Sequence, residues 1–321
     1  MEPFNLNKPR VLTWNIHGSY LYYLSLGDYT IYVPYNADRS ERYIGRGNTY
    51  PYGTNVIEIP ANQVRNIEFD IILFQCDENY LEDQFNILND IQLTLPKIYI
   101  EHDPPWEHPT NALHPVKDDN ITLVHVTAYN RLMWDHAITD IRVIPHGVKT
   151  GSALYKGNIK KGIVVINNLP TRGRMLGYDI YQEVSKVVPL DIVGMGSEEL
   201  GSKEIPHPML MDYISQYRFY FSPIRYTSLG LSTCEAMMIG MPVIGLSTTE
   251  LPAVIRNGIT GFIDNDIQVL IDKMKLLLGV PNLALSMSHS TREHAKNLFS
   301  IDTFTNNWKS LFMEKLSHNT L

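Results

Sequence analysis

The strongest constraint on the fold is an alternation, along the whole chain, of short, continuously apolar runs with longer stretches of helical periodicity. Such runs are typical of parallel strands that helices cover on both faces. The runs lie at 11–16, 30–35, 56–59, 70–75, 97–100, 121–126 and 141–144 in the first half, and at 162–166, 190–193, 219–223, 242–246 and 261–263 in the second. The pattern predicts an α/β protein with doubly wound parallel sheets.

A stretch rich in glycine, lysine and serine, residues 145–161, separates the two sets of runs and is typical of a linker. The 321 residues are enough for two domains. We expect Rossmann-like domains at 1–148 and 149–300, and a C-terminal helix at 301–321 that packs on either domain, including back on the first. Two such domains present the carboxyl ends of their strands to a central cleft, where ligands bind.

Two stretches need a separate interpretation. Residues 78–93 show the clearest helical pattern, since Leu81, Phe85 and Leu88 fall on one face, and predict an amphipathic helix. Residues 227–249 carry a single charge, but their glycines and hydroxyl side chains favour a buried helix, a turn and a buried strand over a membrane span.

Charge and cysteine content restrict the partners and the compartment. The formal net charge of −7 gives no reason to expect a nucleic acid partner. Two cysteines cannot form a disulfide framework, and the first residues lack the apolar segment of a signal peptide, so we expect a cytoplasmic protein. Peripheral contact with the inner face of a membrane is left open, because neither Lys160 and Lys161 nor the C-terminal helix makes a strongly basic surface.

A strand, a polar loop and a helix follow one another in residues 219–244, FYFSPIRYTSLGLSTCEAMMIGMPVI. Thr227 or Ser228 is expected to cap the helix, whose first N–H groups, near Gly230, form an anion site with the helix dipole. Glu235 lies roughly 7–10 Å further along, where it can accept ribose hydroxyls. The pattern therefore favours a nucleoside diphosphate lying along the helix, and a plain buried helix with one hydrogen-bonded acid stays open as the alternative.

This segment resembles the signature of family 4 of the retaining GT-B glycosyltransferases, which reads Pro-Ser, Glu-Gly-Phe-Gly and Glu-Ala-Met-Ala-x-Gly-x-Pro-Val. The matching residues are Ser222, Pro223, Gly230, Leu231, Glu235, Ala236, Met237, Gly240, Pro242 and Val243. The stretches 250–261 and 143–148 and the C-terminal tail are also similar to the family. The resemblance covers nearly all of the second half and, more weakly, the first. It implies a GT-B fold and the transfer of a sugar from a nucleotide-diphosphate sugar, with retention of the anomeric configuration.

The resemblance also implies roles for residues of the donor site. Glu235 matches the glutamate that binds the ribose, while Ser228 and Leu231 fall, with the glycine between them, in the turn that binds the donor. Gly194, in the turn VGMG, matches a position near the base. Thr227 stands where the family has a glutamate that contacts the donor sugar near the reacting carbon. A threonine can hydrogen-bond a sugar hydroxyl but supplies no negative charge.

The family's phosphate clamp, Arg-Leu-x-x-x-Lys-Gly, matches this chain at Gly177, but Leu176 replaces the lysine. Arg172 and Arg174 lie nearby and are the expected substitutes, because an arginine fork binds a diphosphate and offsets charge on the leaving group. Ordinary surface arginines on a solvated loop are the alternative. Because N–H groups and arginines can neutralise the diphosphate, we expect neither a metal nor a cofactor.

In the first half, the turn of His17 and Gly18 matches the glycine-containing first loop of GT-B enzymes, and His102, in IEHD, matches a histidine that reaches the donor sugar. A structural histidine at a strand end is the alternative for His102. Acids and histidines also gather around residues 101–114, but no H-E-x-x-H helix is present there. The acidic pair at 264–266 is expected to cap the next helix.

The predicted activity is the transfer of a sugar from a UDP- or GDP-sugar, with Thr227, His102 and Arg172 in catalytic positions. The acceptor, a glycan, a lipid or a small molecule, enters from the first domain past His17. Two alternatives stay open. One is a non-catalytic sugar-nucleotide-binding protein, which Thr227 and Leu176 favour. The other is a GT-B epimerase or phosphorylase, although catalytic acids for an epimerase cannot be assigned.

Overall fold

The computed structural model describes residues 8–318. Residues 1–7 of the first expected domain and residues 319–321 of the expected C-terminal helix lie outside the described residues. The chain divides into two compact units. One comprises the described residues up to Gly147 together with those from Ile301 onward, and the other is Val148–Ser300.

The first unit contains a seven-stranded parallel sheet. Its strands are β1 (Arg10–Thr13), β2 (Thr30–Tyr35), β3 (Val56–Pro60), β4 (Ile71–Phe74), β5 (Lys97–Glu101), β6 (Ile121–His125) and β7 (Ile141–Val143). They lie in the order β3-β2-β1-β4-β5-β6-β7, so the direction of winding reverses between β1 and β4. Such a reversal opens a ligand-binding crevice at the carboxyl edge of a parallel sheet.

Short helices connect the strands of this unit. They are α1 (Gly18–Leu24), α2 (Gln84–Ile87) and α3 (Ala128–Met133), with a 3₁₀ helix at Ala61–Asn66. The helix predicted over 78–93 is confirmed only up to residue 87, and its predicted apolar face is wrong. The helical run consists of a π-helical stretch at Asn79–Asp83 followed by α2, and a separate 3₁₀ turn follows at Gln92–Thr94. Leu81 is 54% exposed and Phe85 is 62% exposed, so most of the predicted apolar face is exposed to solvent.

A polar contact explains this difference. Asp83 is buried and accepts hydrogen bonds from Arg42, Tyr43 and Asn79 at 2.8 Å each. A buried carboxylate is stable only when it is paired and hydrogen-bonded, so these partners hold the Asp83 side of the segment inward. The apolar side chains on the opposite side then face solvent.

The second unit contains a five-stranded parallel sheet in the order β12-β11-β10-β8-β9. Its strands are β8 (Ile159–Val165), β9 (Leu190–Val193), β10 (Tyr217–Ser222), β11 (Val243–Leu246) and β12 (Gly261–Asp264). The helices are α4 (Leu169–Arg172), α5 (Tyr178–Val184), α6 (His207–Ile214), α7 (Leu231–Met238), α8 (Leu251–Val254), α9 (Ile267–Gly279) and α10 (Pro281–Leu298), with 3₁₀ turns at Gly173–Leu176 and Glu198–Leu200.

Each apolar run of the sequence coincides with one strand of the two sheets. All residues of β4, β6 and β10 are buried, as the continuous runs require for strands covered on both faces. The prediction of a doubly wound α/β fold is confirmed. Residues 227–249 form α7, a turn and β11. Within residues 8–318, every helix is too short or too polar to cross a membrane.

The last helix, α11 (Ile301–His318), packs on α1 in the first unit. Trp308 is fully buried, and its Nε1 donates a hydrogen bond to the hydroxyl of Tyr20 at 3.1 Å. Phe312 is also buried, and Arg142 forms a bidentate ion pair with Glu314 at 2.6 and 2.7 Å. The apolar side of this helix is therefore part of the core of the first unit.

Candidate functional site

The loop between β10 and α7 ends at Gly230, which has an extended backbone (φ −67°, ψ 137°) and precedes the first helical residue, Leu231. The prediction that Thr227 or Ser228 caps the helix is wrong, and no side chain caps it. The helix starts later because Gly230 itself still has an extended backbone. The N–H groups of Leu231 and Ser232 have no acceptor within the helix, and with the helix dipole they can bind an anion.

Glu235 lies in the second turn of α7 and is only 2% exposed. Its Oε1 is 2.8 Å from Nε2 of His207, the first residue of α6. A carboxylate at this depth needs a hydrogen-bond donor, and His207 supplies one. His207 was not predicted from the sequence. Its position directly after Pro206, at the start of a helix, marks it only weakly.

Two arginines of the second unit converge on Asp179. Arg225 donates to both carboxylate oxygens at 2.6 and 2.9 Å, and Nη1 of Arg174 lies 2.5 Å from one of them. The hydrogen bond from Arg225 lowers the pKa of Asp179. Arg225 was not predicted, although a basic residue just after the carboxyl end of a strand is a usable signal. Arg172 ends α4 at the surface.

The 77% exposure of the Arg174 side chain is compatible with either interpretation of this residue, a clamp or a solvated surface group. Leu176, which replaces the family's lysine, is buried in the hydrophobic core of the unit. That position therefore offers no polar group to a ligand.

Two glycines allow the loops at the carboxyl edge of this sheet to meet. A Cβ on Gly177 (φ +82°) would overlap the carbonyl oxygen of Pro223, and one on Gly194 (φ +147°) would overlap that of Ile166. The loops after β8 and β9 are also joined by a hydrogen bond from Asn168 N–H to Met195 O at 2.7 Å. The loops after β8, β9 and β10 therefore lie together at the edge where doubly wound sheets bind ligands.

In the first unit, the structure brings His17, Gly18 and His102 together. The rings of His17, just before α1, and His102, just after β5, have centroids 4.0 Å apart, and Tyr20 lies edge-on to His102 at 4.7 Å. Burial lowers the pKa of both histidines, so both are neutral at pH 7. The Nε2 atom of His102 is buried without a hydrogen-bond partner among residues 8–318, so it can pair with a ligand hydroxyl.

The backbone on either side of His102 is held by side chains. The carboxylate of Glu101 accepts a hydrogen bond from Asp103 N–H at 2.8 Å. Asn130 donates to the carbonyl of His102 at 3.0 Å, and Trp134 donates to that of Asp103 at 2.9 Å. The backbone that carries the His102 ring is therefore fixed by three hydrogen bonds from or to side chains.

Two of the acids and histidines around residues 101–114 pair with each other. Glu101 pairs with His114 at 3.1 Å. In the part of the chain that the structure describes, no group of three or more His, Cys, Asp or Glu side chains is arranged to bind a metal ion. Asp266 caps α9 through a hydrogen bond from Gln268 N–H at 2.8 Å, as predicted.

Residues 180–279, which include α7, match the family of group 1 glycosyl transferases. No characterised protein matches the chain by sequence. The solved structures that resemble it include sucrose-phosphate synthase from Thermosynechococcus elongatus, with a TM-score of 0.70 at 13% identity over 97% of this chain and 100% of that one. A glycosyltransferase from Rickettsia africae has a TM-score of 0.69 at 12% identity over 97% and 99%. HepE from Anabaena, solved with UDP and glucose, has a TM-score of 0.64 at 12% identity over 95% of this chain and 99% of that one.

At these identities the likeness shows the fold. The fold is GT-B, built from two Rossmann-like domains, and the prediction of this fold is confirmed. The match over residues 180–279 supports glycosyl transfer as the general activity.

Proposed function

We propose that the protein is a family 4-like retaining glycosyltransferase that moves a hexosyl group from a nucleoside-diphosphate sugar to a glycan, lipid or small-molecule acceptor. The observation that carries the proposal is the turn into α7, where a helix N-terminus is followed by the buried carboxylate of Glu235. This turn lies inside the region that matches the group 1 glycosyl transferases.

The donor nucleotide would extend along α7. The first N–H groups of α7, those of Leu231 and Ser232, bind the diphosphate with help from Ser228, Gly230 lets a phosphate approach the backbone closely, and Glu235 accepts the ribose hydroxyls. Leu231 and Glu235 are separated by about 6 Å along the helix axis at 1.5 Å per residue, which suits adjacent phosphate and ribose groups. Gly194 lies in the turn that the resemblance assigns to the base.

The diphosphate charge would be offset by arginines and N–H groups, without a metal. Arg172 and Arg174 are the predicted clamp, and Arg225 is a further candidate. Because Asp179 already binds Arg174 and Arg225, a diphosphate must compete with this carboxylate for either guanidinium. Because salt screens the ion pairs with Asp179 as well as those with the diphosphate, we expect donor binding to weaken only moderately with added salt.

The first unit would supply the remaining groups. By the resemblance, His102 contacts the donor sugar, and the acceptor approaches past His17 and Gly18. The buried, neutral ring of His102 suits a hydrogen bond to a sugar hydroxyl, because its unpartnered Nε2 atom gains a partner on binding. Thr227, at the position of the family's first glutamate, would bind the donor sugar through its hydroxyl.

The test is release of nucleoside diphosphate from a panel of UDP- and GDP-sugars, including UDP-glucose because HepE was solved with UDP and glucose. Glu235→Ala should weaken nucleotide binding at least about tenfold, the equivalent of one strong hydrogen bond to a charged group. Glu293→Ala, which removes an exposed glutamate of α10, is the matched control. Retention is tested by the anomeric configuration of the product. Unchanged nucleotide affinity in Glu235→Ala would refute the ribose contact.

A second function, non-catalytic binding of sugar nucleotides, is favoured by the buried Leu176 and by Thr227 in place of two charged family residues. A binder would show a higher melting temperature with nucleotide but release none from nucleotide sugars. Thr227→Glu separates the two functions, since restoring the carboxylate should start turnover only in a site that otherwise holds the donor correctly. If no UDP or GDP compound changes the melting temperature, both functions are excluded.

A further inference from the structure

The Glu235 carboxylate has a hydrogen-bond partner outside its own helix. Glu235 is nearly fully buried in α7, and the torsion that turns a glutamate carboxylate about its last bond is broad and weakly restricted. A ribose presents two adjacent hydroxyls, and a carboxylate receives both only when its plane has the right orientation. A contact that selects this orientation before the ligand arrives therefore lowers the cost of binding.

The structure places His207 in that position. Its imidazole is 12% exposed, begins α6 and lies with Nε2 2.8 Å from Oε1 of Glu235. The two residues come from helices that pack against each other and are 28 residues apart in the sequence. An ionised carboxylate only accepts hydrogen bonds, so Nε2 of His207 carries the proton that is shared.

We propose that His207 is a positioning residue of the nucleotide site, which orients the Glu235 carboxylate so that it receives both hydroxyls of a ribose. The inference rests on the proposed function, because it needs a nucleotide along α7. His207 itself does not touch the ribose. Its hydrogen bond fixes one oxygen of Glu235 in advance, so the ordering of the carboxylate is complete before the nucleotide binds.

The test compares UDP and GDP with their 2′-deoxy analogues by isothermal titration calorimetry on the full chain. In the unaltered protein, loss of the 2′-hydroxyl should weaken binding about tenfold or more, because a buried charged acceptor loses its partner. His207→Leu keeps an apolar side chain but removes the donor, and should weaken ribonucleotide binding about tenfold while the deoxy analogue changes less than about twofold. His207→Gln keeps an N–H donor and should largely preserve the discrimination.

A purely structural histidine gives a different result. His207→Leu would then weaken ribo- and deoxynucleotide binding by the same factor, which would overturn the inference. His289→Leu, an exposed histidine of α10, is the matched control and should change neither affinity. If His207→Leu does not fold, His207→Asn, whose shorter amide cannot reach Glu235, makes the same comparison.

Failure of the inference can be told apart from failure of the proposed function. If the unaltered protein binds neither UDP nor GDP, the proposed function is refuted and the inference with it. If Glu235→Gln abolishes the preference for ribonucleotides over their 2′-deoxy analogues and His207→Leu retains it, only the positioning role is refuted. If Glu235→Gln retains it, Glu235 does not bind the ribose and the role of His207 is refuted too.

Discussion

Gly177 permits a contact between two loops that any larger residue would prevent. Its φ is +82°, and a Cβ atom would overlap the backbone carbonyl of Pro223. Gly258, in the same unit, has the same φ of +82°, but a Cβ there would meet nothing within 4 Å. The two glycines have the same backbone conformation and differ in the space around them, so alanine at each position separates backbone strain from steric overlap.

Gly258→Ala should lower the free energy of unfolding by about 1–2 kcal/mol, the cost of a left-handed conformation for an L-residue. Gly177→Ala carries the same cost and adds an overlap with backbone, and such overpacking costs about 1–3 kcal/mol more. At about 2–4 °C per kcal/mol for a unit of this size, the melting temperature of Gly177→Ala should lie about 2–12 °C below that of Gly258→Ala.

The assay is differential scanning calorimetry of the full chain, followed by nucleotide titration of both variants. Because Pro223 opens the loop that leads to α7, its displacement in Gly177→Ala should also weaken UDP or GDP binding, whereas Gly258→Ala should bind as the unaltered protein does. Equal melting temperatures for the two variants would refute the reasoning. They would show that the Pro223 loop moves aside at no cost and does not hold the site in place.

Three further predictions concern the first unit. Trp308→Phe removes the hydrogen bond to Tyr20 and some buried volume, and should lower the free energy of unfolding in urea by about 1–3 kcal/mol; an unchanged value would contradict this packing. Burial acts to raise the pKa of Asp140, but hydrogen bonds from three neighbouring side chains outweigh it and lower the pKa to about 2. The stability that this carboxylate adds is therefore present above about pH 4 and is lost towards pH 2. The difference in unfolding free energy between Asp140→Asn and the unaltered protein should shrink over that range, and a constant difference would contradict the lowered pKa. Phe85→Ser should change the free energy of unfolding by less than about 0.5 kcal/mol, whereas Leu88→Ala should lower it by about 2–5 kcal/mol. The reverse order in urea denaturation would show that Phe85 is buried, as the predicted amphipathic helix requires.

Local pattern was enough to predict the strands of both sheets and the helix that carries Glu235. A continuous apolar run indicates a strand that is buried on both faces. Because every residue of such a strand is buried, the signal is present in each residue of the run and can be seen locally. The start of α7 was predicted two or three residues too early. Hydroxyl residues at Thr227 and Ser228 suggested caps, but the backbone conformation at Gly230 decides where the helix begins.

The wrong apolar face and the early end of the helix predicted over 78–93 have a similar cause. The apolar spacing of Leu81 and Phe85 is real, but the partner of Asp83 is Arg42, which lies 41 residues away in the sequence. An ion pair with a buried carboxylate outweighs an apolar stripe, and nothing within the segment shows that such a partner exists.

The amino-acid order alone established the layered α/β architecture, the two-domain length and the acid on a helix beside a polar turn, because each of these depends on residues that are close in sequence. The pairings of His207 with Glu235, Arg225 with Asp179 and His17 with His102 appeared only in the folded chain. Their members belong to different strands, loops and helices, and the order of strands in the sheets brings them together. Polar partners of this kind leave no periodic trace, because hydrogen bonding and charge act across space between residues that share no local pattern.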